Sequence, residues 1–90
     1  MNFVELFGDS VRVKVLDLLL SDPEKVYSQS EISRRVNCSV SSVGRVLEPL
    51  IELGLIKTLN FKGQVKIVAV NKDHHIINKL IRFRKEISGL

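Results

Sequence analysis

Between Ser39 and Arg45 the sequence sets three serines, a glycine and one arginine in an otherwise apolar-periodic stretch. Hydroxyls donate and accept single hydrogen bonds, whereas a guanidinium presents a rigid fork of donors to paired acceptors. Together they suit recognition of an anionic, acceptor-rich partner and not bond making. Ser39, Ser41 and Ser42 can donate to phosphate oxygens or base edges. Gly44 is expected to let such a partner approach closely, and Arg45 is the one side chain there able to form two parallel bonds. Arg34 and Arg35 upstream, with Lys62, Gln64 and Lys66 downstream, add polar and cationic groups that can contact phosphates.

Other reactive residues are sparse. Cys38 is the only cysteine, so an intramolecular disulfide or a two-cysteine metal or redox motif is excluded, and a small residue in a turn is its expected role. His74 and His75 are adjacent, and at helical spacing they point about 100° apart, unlike metal-binding pairs four residues apart. No Ser-His-Asp set, phosphate-binding glycine loop or paired carboxylates stands in the sequence, so neither catalysis nor a cofactor is expected, and no small-molecule effector is indicated.

The 90 residues carry a formal charge of +4, distributed unevenly. Residues 1–27 sum to −2, residues 28–70 to +3 and residues 71–90 to +3. A basic middle and end suit nucleic acid, an acidic protein or an anionic surface, and charge alone does not choose among them. No apolar run reaches the length of a membrane span, and Met1 to Gly8 holds Glu5 and no basic residue, unlike a signal peptide. The expected location is the cytoplasm.

Periodicity and caps supply the elements that must hold these residues. Asp9 or Ser10 can cap a first helix through Val11, Val15, Leu16 and Leu19, ended by Ser21-Asp22-Pro23. The apolar segment Phe3 to Phe7 before it is expected to extend that helix toward a partner subunit. A short extended piece at Lys25 to Tyr27 precedes Ser28-x-x-Glu31, which reads as a capping box for a helix over 29–36. Asn37 can close that helix in the left-handed conformation, and Ser39 can cap the next after about three residues. That third helix runs from Val40 to Leu53, and Pro49 predicts a bend or a loosened last turn in it. Leu55 to Leu59 and Val65 to Val70 read as a hairpin around the loop from Asn60 to Gln64, with Phe61 near its tip. Asp73 is expected to cap a final helix of about 73–88.

The order helix, strand, helix, helix, strand, strand, helix is that of a winged helix-turn-helix: mainly α with a small β-hairpin, in one domain over residues 1–90. In such a fold the second helix of the tight pair lies in the major groove of DNA and the hairpin is the wing. Double-stranded DNA is therefore the expected partner, with Arg45 reading bases and Arg34, Arg35, Lys62 and Lys66 on phosphates. Surplus apolar residues at both ends predict a homodimer through Phe3, Phe7, Ile76, Leu80, Phe83 and Ile87.

The stretch S-x-x-E-I-S-R-R-V followed by S-V-S-S-V-G-R-V-L-E-P-L-I-E-L-G-L-I resembles the MarR and ArsR type winged-helix regulators. L-F-G-D-S-V-R-V-K-V-L-D-L-L-L and A-V-N-K-D-H-H are similar to a compact archaeal subgroup whose winged helix stands beside or is fused to nucleotidyltransferase domains. The likeness covers residues 5 to 80. It implies a winged-helix fold and a transcriptional regulator. The cysteine pair of the ArsR metal sensors is missing, so metal sensing does not carry over. The plain Ser and Gly face and apolar Phe61 also fit a second reading, an interaction module docking on a nucleotidyltransferase or a transcription complex.

Overall fold

The computed structural model describes the backbone of residues 1–61 and 65–90 and the side chains of residues 1–59 and 67–90. Its elements are α1 (Phe3–Phe7), α2 (Val11–Ser21), β1 (Tyr27–Ser28), α3 (Gln29–Val36), α4 (Val40–Glu52), β2 (Ile56–Phe61), β3 (Val65–Val70) and α5 (His75–Ser88). The fold is mainly helical with one small antiparallel sheet, as the periodicity predicts.

Phe3 to Phe7 does not extend the next helix. Asn2 and Glu5 form a reciprocal capping box, with Glu5 N donating to Asn2 Oδ1 at 2.8 Å and Asn2 N to Glu5 Oε1 at 3.2 Å. Gly8 then turns the chain at φ 99°, a conformation open to glycine, and Ser10 caps α2. The short helix folds back because Phe3 is only 3% exposed and its ring stacks on Phe83 of α5 at 6.1 Å between centroids. Asp17 of α2 fixes the junction, its Oδ1 accepting from Phe3 N at 3.2 Å and from Arg84 Nε at 3.0 Å.

β1 pairs with β3, and β3 with β2, all antiparallel in the order β1-β3-β2. Tyr27 stands opposite Val68, and Ile56 opposite Val70. Strand β2 runs on to Phe61, so Asn60 and Phe61 pair with Lys66 and Val65 where the sequence suggested loop. The core lies between helices and sheet. Val15 of α2, Ile32 of α3, Val43 and Leu47 of α4, Val68 of β3 and Ile77 of α5 are each 0% exposed. Burying a side chain of this size contributes about 1.5–3 kcal/mol, so this core outweighs any surface ion pair in holding α4 against α2 and α3.

Two expected caps differ in detail. Ser28 caps α3 by accepting from Glu31 N at 3.1 Å, but the Glu31 carboxylate pairs with Lys25 Nζ and Arg35 Nη2, each at 3.5 Å. Two nearby cations outcompete a backbone amide for that carboxylate. His74, not Asp73, caps α5: its Nδ1 accepts from Ile76 N at 3.2 Å. Helix α4 continues without a break through Pro49 to Glu52, although the proline removes the amide that would have paired with the Arg45 carbonyl.

Candidate nucleic-acid interface

The tight connection between α3 and α4 creates the site. Asn37 closes α3 at φ 57° and ψ 47°, the left-handed cap expected of it, and Cys38 N donates to Ser33 O at 3.1 Å. The Ser33 hydroxyl donates in turn to the Cys38 carbonyl. Cys38 is half-buried in this turn and its thiol points to Val36 O at 3.4 Å. Ser39 then caps α4, accepting from Ser42 N at 3.1 Å while its hydroxyl donates to Ser42 Oγ at 2.8 Å. The serines therefore have a local duty, which is to start the helix.

Apolar Val43, Leu47 and Leu50 are buried, whereas Ser39, Ser41 and Arg45 are exposed and Ser42 is half-buried. The first two turns of α4 thus present hydroxyls and one guanidinium on a single outward face. Arg34 is exposed too, and among the described residues neither Arg34 nor Arg45 has an ion pair.

Arg35 is placed differently. It pairs with Glu31, lies 6.0 Å from the Tyr27 ring centroid, and lines a depression with Val4, Lys14, Asp17 and Leu18. It faces α1 and α2, so its expected phosphate contact would require leaving Glu31. Consecutive helical residues diverge by about 100°, which is why Arg34 and Arg35 part company. Gly44 is also corrected: a Cβ there would lie 2.7 Å from Gln29 Nε2, so the room that glycine leaves is taken by α3. Lys62 and Gln64 lie outside the described residues, and of Lys66 only the strand position in β3 is described.

Two of the expected dimer contacts are internal. Phe3 and Ile87 are 3% and 6% exposed within the chain and pack in its own core, because α1 folds onto α5. Phe7, Ile76 and Phe83 remain exposed at 60%, 44% and 37%, and Leu80 is partly buried against the core. Sequence periodicity shows how much of α5 is apolar but not which stripe α1 covers.

Residues 10–83 match the pattern described as FUR: Ferric uptake regulator family. The chain belongs to the ferric uptake regulator family. That is a family of regulators and not of enzymes, and the match does not carry the MarR, ArsR or archaeal subgroup likeness. No curated protein matches the sequence. Among solved structures, a Lactococcus lactis ZitR mutant in complex with DNA superposes with a TM-score of 0.63 at 19% identity, covering 81% of this chain and 51% of that one. A second ZitR mutant, in apo form, gives 0.65 at 17% identity, over 94% of this chain and 66% of that one. A possible transcriptional regulator from Methanosarcina mazei Go1 gives 0.60 at 20% identity, over 89% and 72%. These likenesses establish the winged-helix fold, and this chain spans about half the length of the DNA-bound ZitR chain.

A family described by ferric uptake raises the question of a metal, and the residues do not fit one. Among the described residues no three His, Cys, Asp or Glu side chains come together, and Asn60 to Lys66 contain none of these types. His74 spends Nδ1 on its cap and stacks on His75 at 5.2 Å. No helix among the described residues is long and apolar enough to cross a membrane.

Proposed function

We propose that the chain is a sequence-specific double-stranded DNA-binding transcriptional regulator that acts as a homodimer. The observation that carries the proposal is the outward face of α4. A capped helix start bears exposed Ser39, Ser41 and Arg45, the last without an ion pair among the described residues, at the exit of a tight helix-helix turn, within a chain of the ferric uptake regulator family. The ZitR likeness adds that a chain of similar fold is known in complex with DNA.

In this reading the first turns of α4 enter the major groove, Arg45 reads a guanine through its O6 and N7, and Ser41 and Ser42 meet phosphate or base edges. Arg34 crosses to the backbone beside them, and the wing residues Lys62, Gln64 and Lys66 supply further phosphate contacts. Exposed Phe7, Ile76 and Phe83 with part of Leu80 form the contact between protomers, which sets half-sites about 34 Å apart. A protein with this role works in the cytoplasm, alongside the chromosome.

Selection of bound sequences from a random duplex pool, with sedimentation of the free chain and of the complex, tests both parts. The expected result is an enriched palindrome and two chains per site. A chain that enriches no sequence and binds duplex at physiological salt no better than the non-specific range of about 10⁻⁴–10⁻⁶ M removes the proposal. Co-purification of a protein partner beside such a result would favour the docking-module reading.

A further inference from the structure

Gln29 is the first residue of α3, and its side-chain Nε2 donates to the carbonyl of Val40, the first residue of α4, at 2.8 Å. In an α-helix that carbonyl also accepts the amide four residues on, here Gly44, and its two lone pairs allow both bonds. Gly44 completes the contact from the other side. A Cβ on it would sit 2.7 Å from Gln29 Nε2 and 3.6 Å from Cδ, closer than the side chain could tolerate without moving. No positive φ requires glycine at this position, and a Cβ added there would have to push the end of the flexible Gln29 side chain away from the Val40 carbonyl.

The bond has a counterpart one turn along. Gln29 and Ser33 are four residues apart and share a face of α3. Ser33 donates to the Cys38 carbonyl and Gln29 to the Val40 carbonyl, so two side chains of one helix hold a carbonyl of the turn and the first carbonyl of the next helix. The buried residues of the two helices, Ile32, Val36, Val43 and Leu47 among them, all belong to one apolar core. Apolar packing is non-directional and allows small rotations, whereas a hydrogen bond weakens steeply with angle.

We infer that Gln29 is a positioning residue for the reading helix, which docks in the notch at Gly44 and fixes the rotation of α4 about its axis. Arg45, the next residue after the notch, thereby meets base edges at a set angle. The inference rests on the DNA-binding reading and names the device that makes such binding selective.

The test compares the full chain with Gln29→Met, which keeps the length but not the donor, with Gly44→Ala, and with the double variant. Each is titrated on the selected duplex and on a duplex changed at the Arg45 base pair, across a salt series. Amide hydrogen exchange is followed at Gly44 and Arg45 without DNA. Loss of one directional hydrogen bond predicts a five- to tenfold fall in the ratio of the two affinities, about the effect of one such bond. The salt slope is expected to hold, since no phosphate contact is lost. Both single variants break the same contact, so the double variant should lose no more than either, and exchange at Gly44 and Arg45 should quicken in all three.

A retained affinity ratio in Gln29→Met overturns the inference, as does a ratio that falls only together with the salt slope. A wild-type chain that binds no duplex fails the DNA reading instead and takes the inferred role in base reading with it. In that case, unchanged amide exchange in Gln29→Met would separately refute the helix lock.

Discussion

Arg45→Ala separates recognition from folding more cleanly than any other change in the chain. The side chain is exposed, has no ion pair among the described residues, and stands one position past the Gly44 notch on the outward face of α4. Truncating it leaves Val43 and Leu47 in place, so thermal stability should stay within the range of about 0.5 kcal/mol typical of surface substitutions. A bidentate pair with guanine discriminates against the wrong base by about 1–3 kcal/mol, which is about 5- to 150-fold in affinity. Fluorescence anisotropy would compare wild type and variant on the selected duplex and on all three substitutions of the contacted base pair. The wild type should show the full spread, and the variant should bind the four duplexes nearly alike while keeping most of its non-specific affinity. If the variant preserves the spread of affinities, or weakens every duplex equally with a shallower salt slope, Arg45 touches phosphate or solvent and the base-reading argument is wrong.

Asp17→Ala should undock α1 from α5, since it removes the acceptor shared by Phe3 N and Arg84 Nε. Charge-assisted hydrogen bonds of this kind are worth on the order of 2 kcal/mol, which for a domain of this size lowers Tm by about 10 °C by calorimetry. A change below about 2 °C would mean that Phe3 stacking alone holds α1. Burial raises the Tyr27 phenol above its ordinary 10.0; nearby Arg35 opposes the shift, and Asp22 and Glu31 add to it. The folded state therefore holds the phenolic proton more tightly than the unfolded one. That stability is present below pH 10.0 and is lost as pH rises through the folded value, a slope that Tyr27→Phe should abolish in denaturation measured from pH 9 to 11. With no cluster of metal ligands among the described residues, dialysis against a chelator should leave duplex affinity within about twofold, inside the scatter of additive binding energies. A loss of tenfold or more restored by added metal would show that a metal site forms in the assembled complex.

Much of this molecule could be read locally. Ser10, Ser28 and Ser39 cap the helices they were expected to cap, Asn37 takes the left-handed turn, and the β-branched runs form the hairpin. Each of these features is set within a few residues by a side chain answering a nearby backbone group. The Asn2-x-x-Glu5 box that starts α1 is equally local, two side chains each answering the other's backbone amide.

What the sequence determined by itself is the succession of elements and the composition of the α4 face: small hydroxyls, one glycine and Arg45, over a buried stripe of Val43, Leu47 and Leu50. The tertiary structure decided which of those residues is free to act. It turned Phe3 and Ile87 inward, drew Arg35 to Glu31 and the α2 side, gave His74 the cap that Asp73 was expected to supply, and filled the space at Gly44 with Gln29. Gln29 and Gly44 are 15 positions apart in the chain and meet only because the Asn37 turn folds α4 back across the start of α3. Helical periodicity assigns a face to each residue, but a contact between two faces depends on the crossing of two helices, which the packing of Ile32, Val36, Val43 and Leu47 sets.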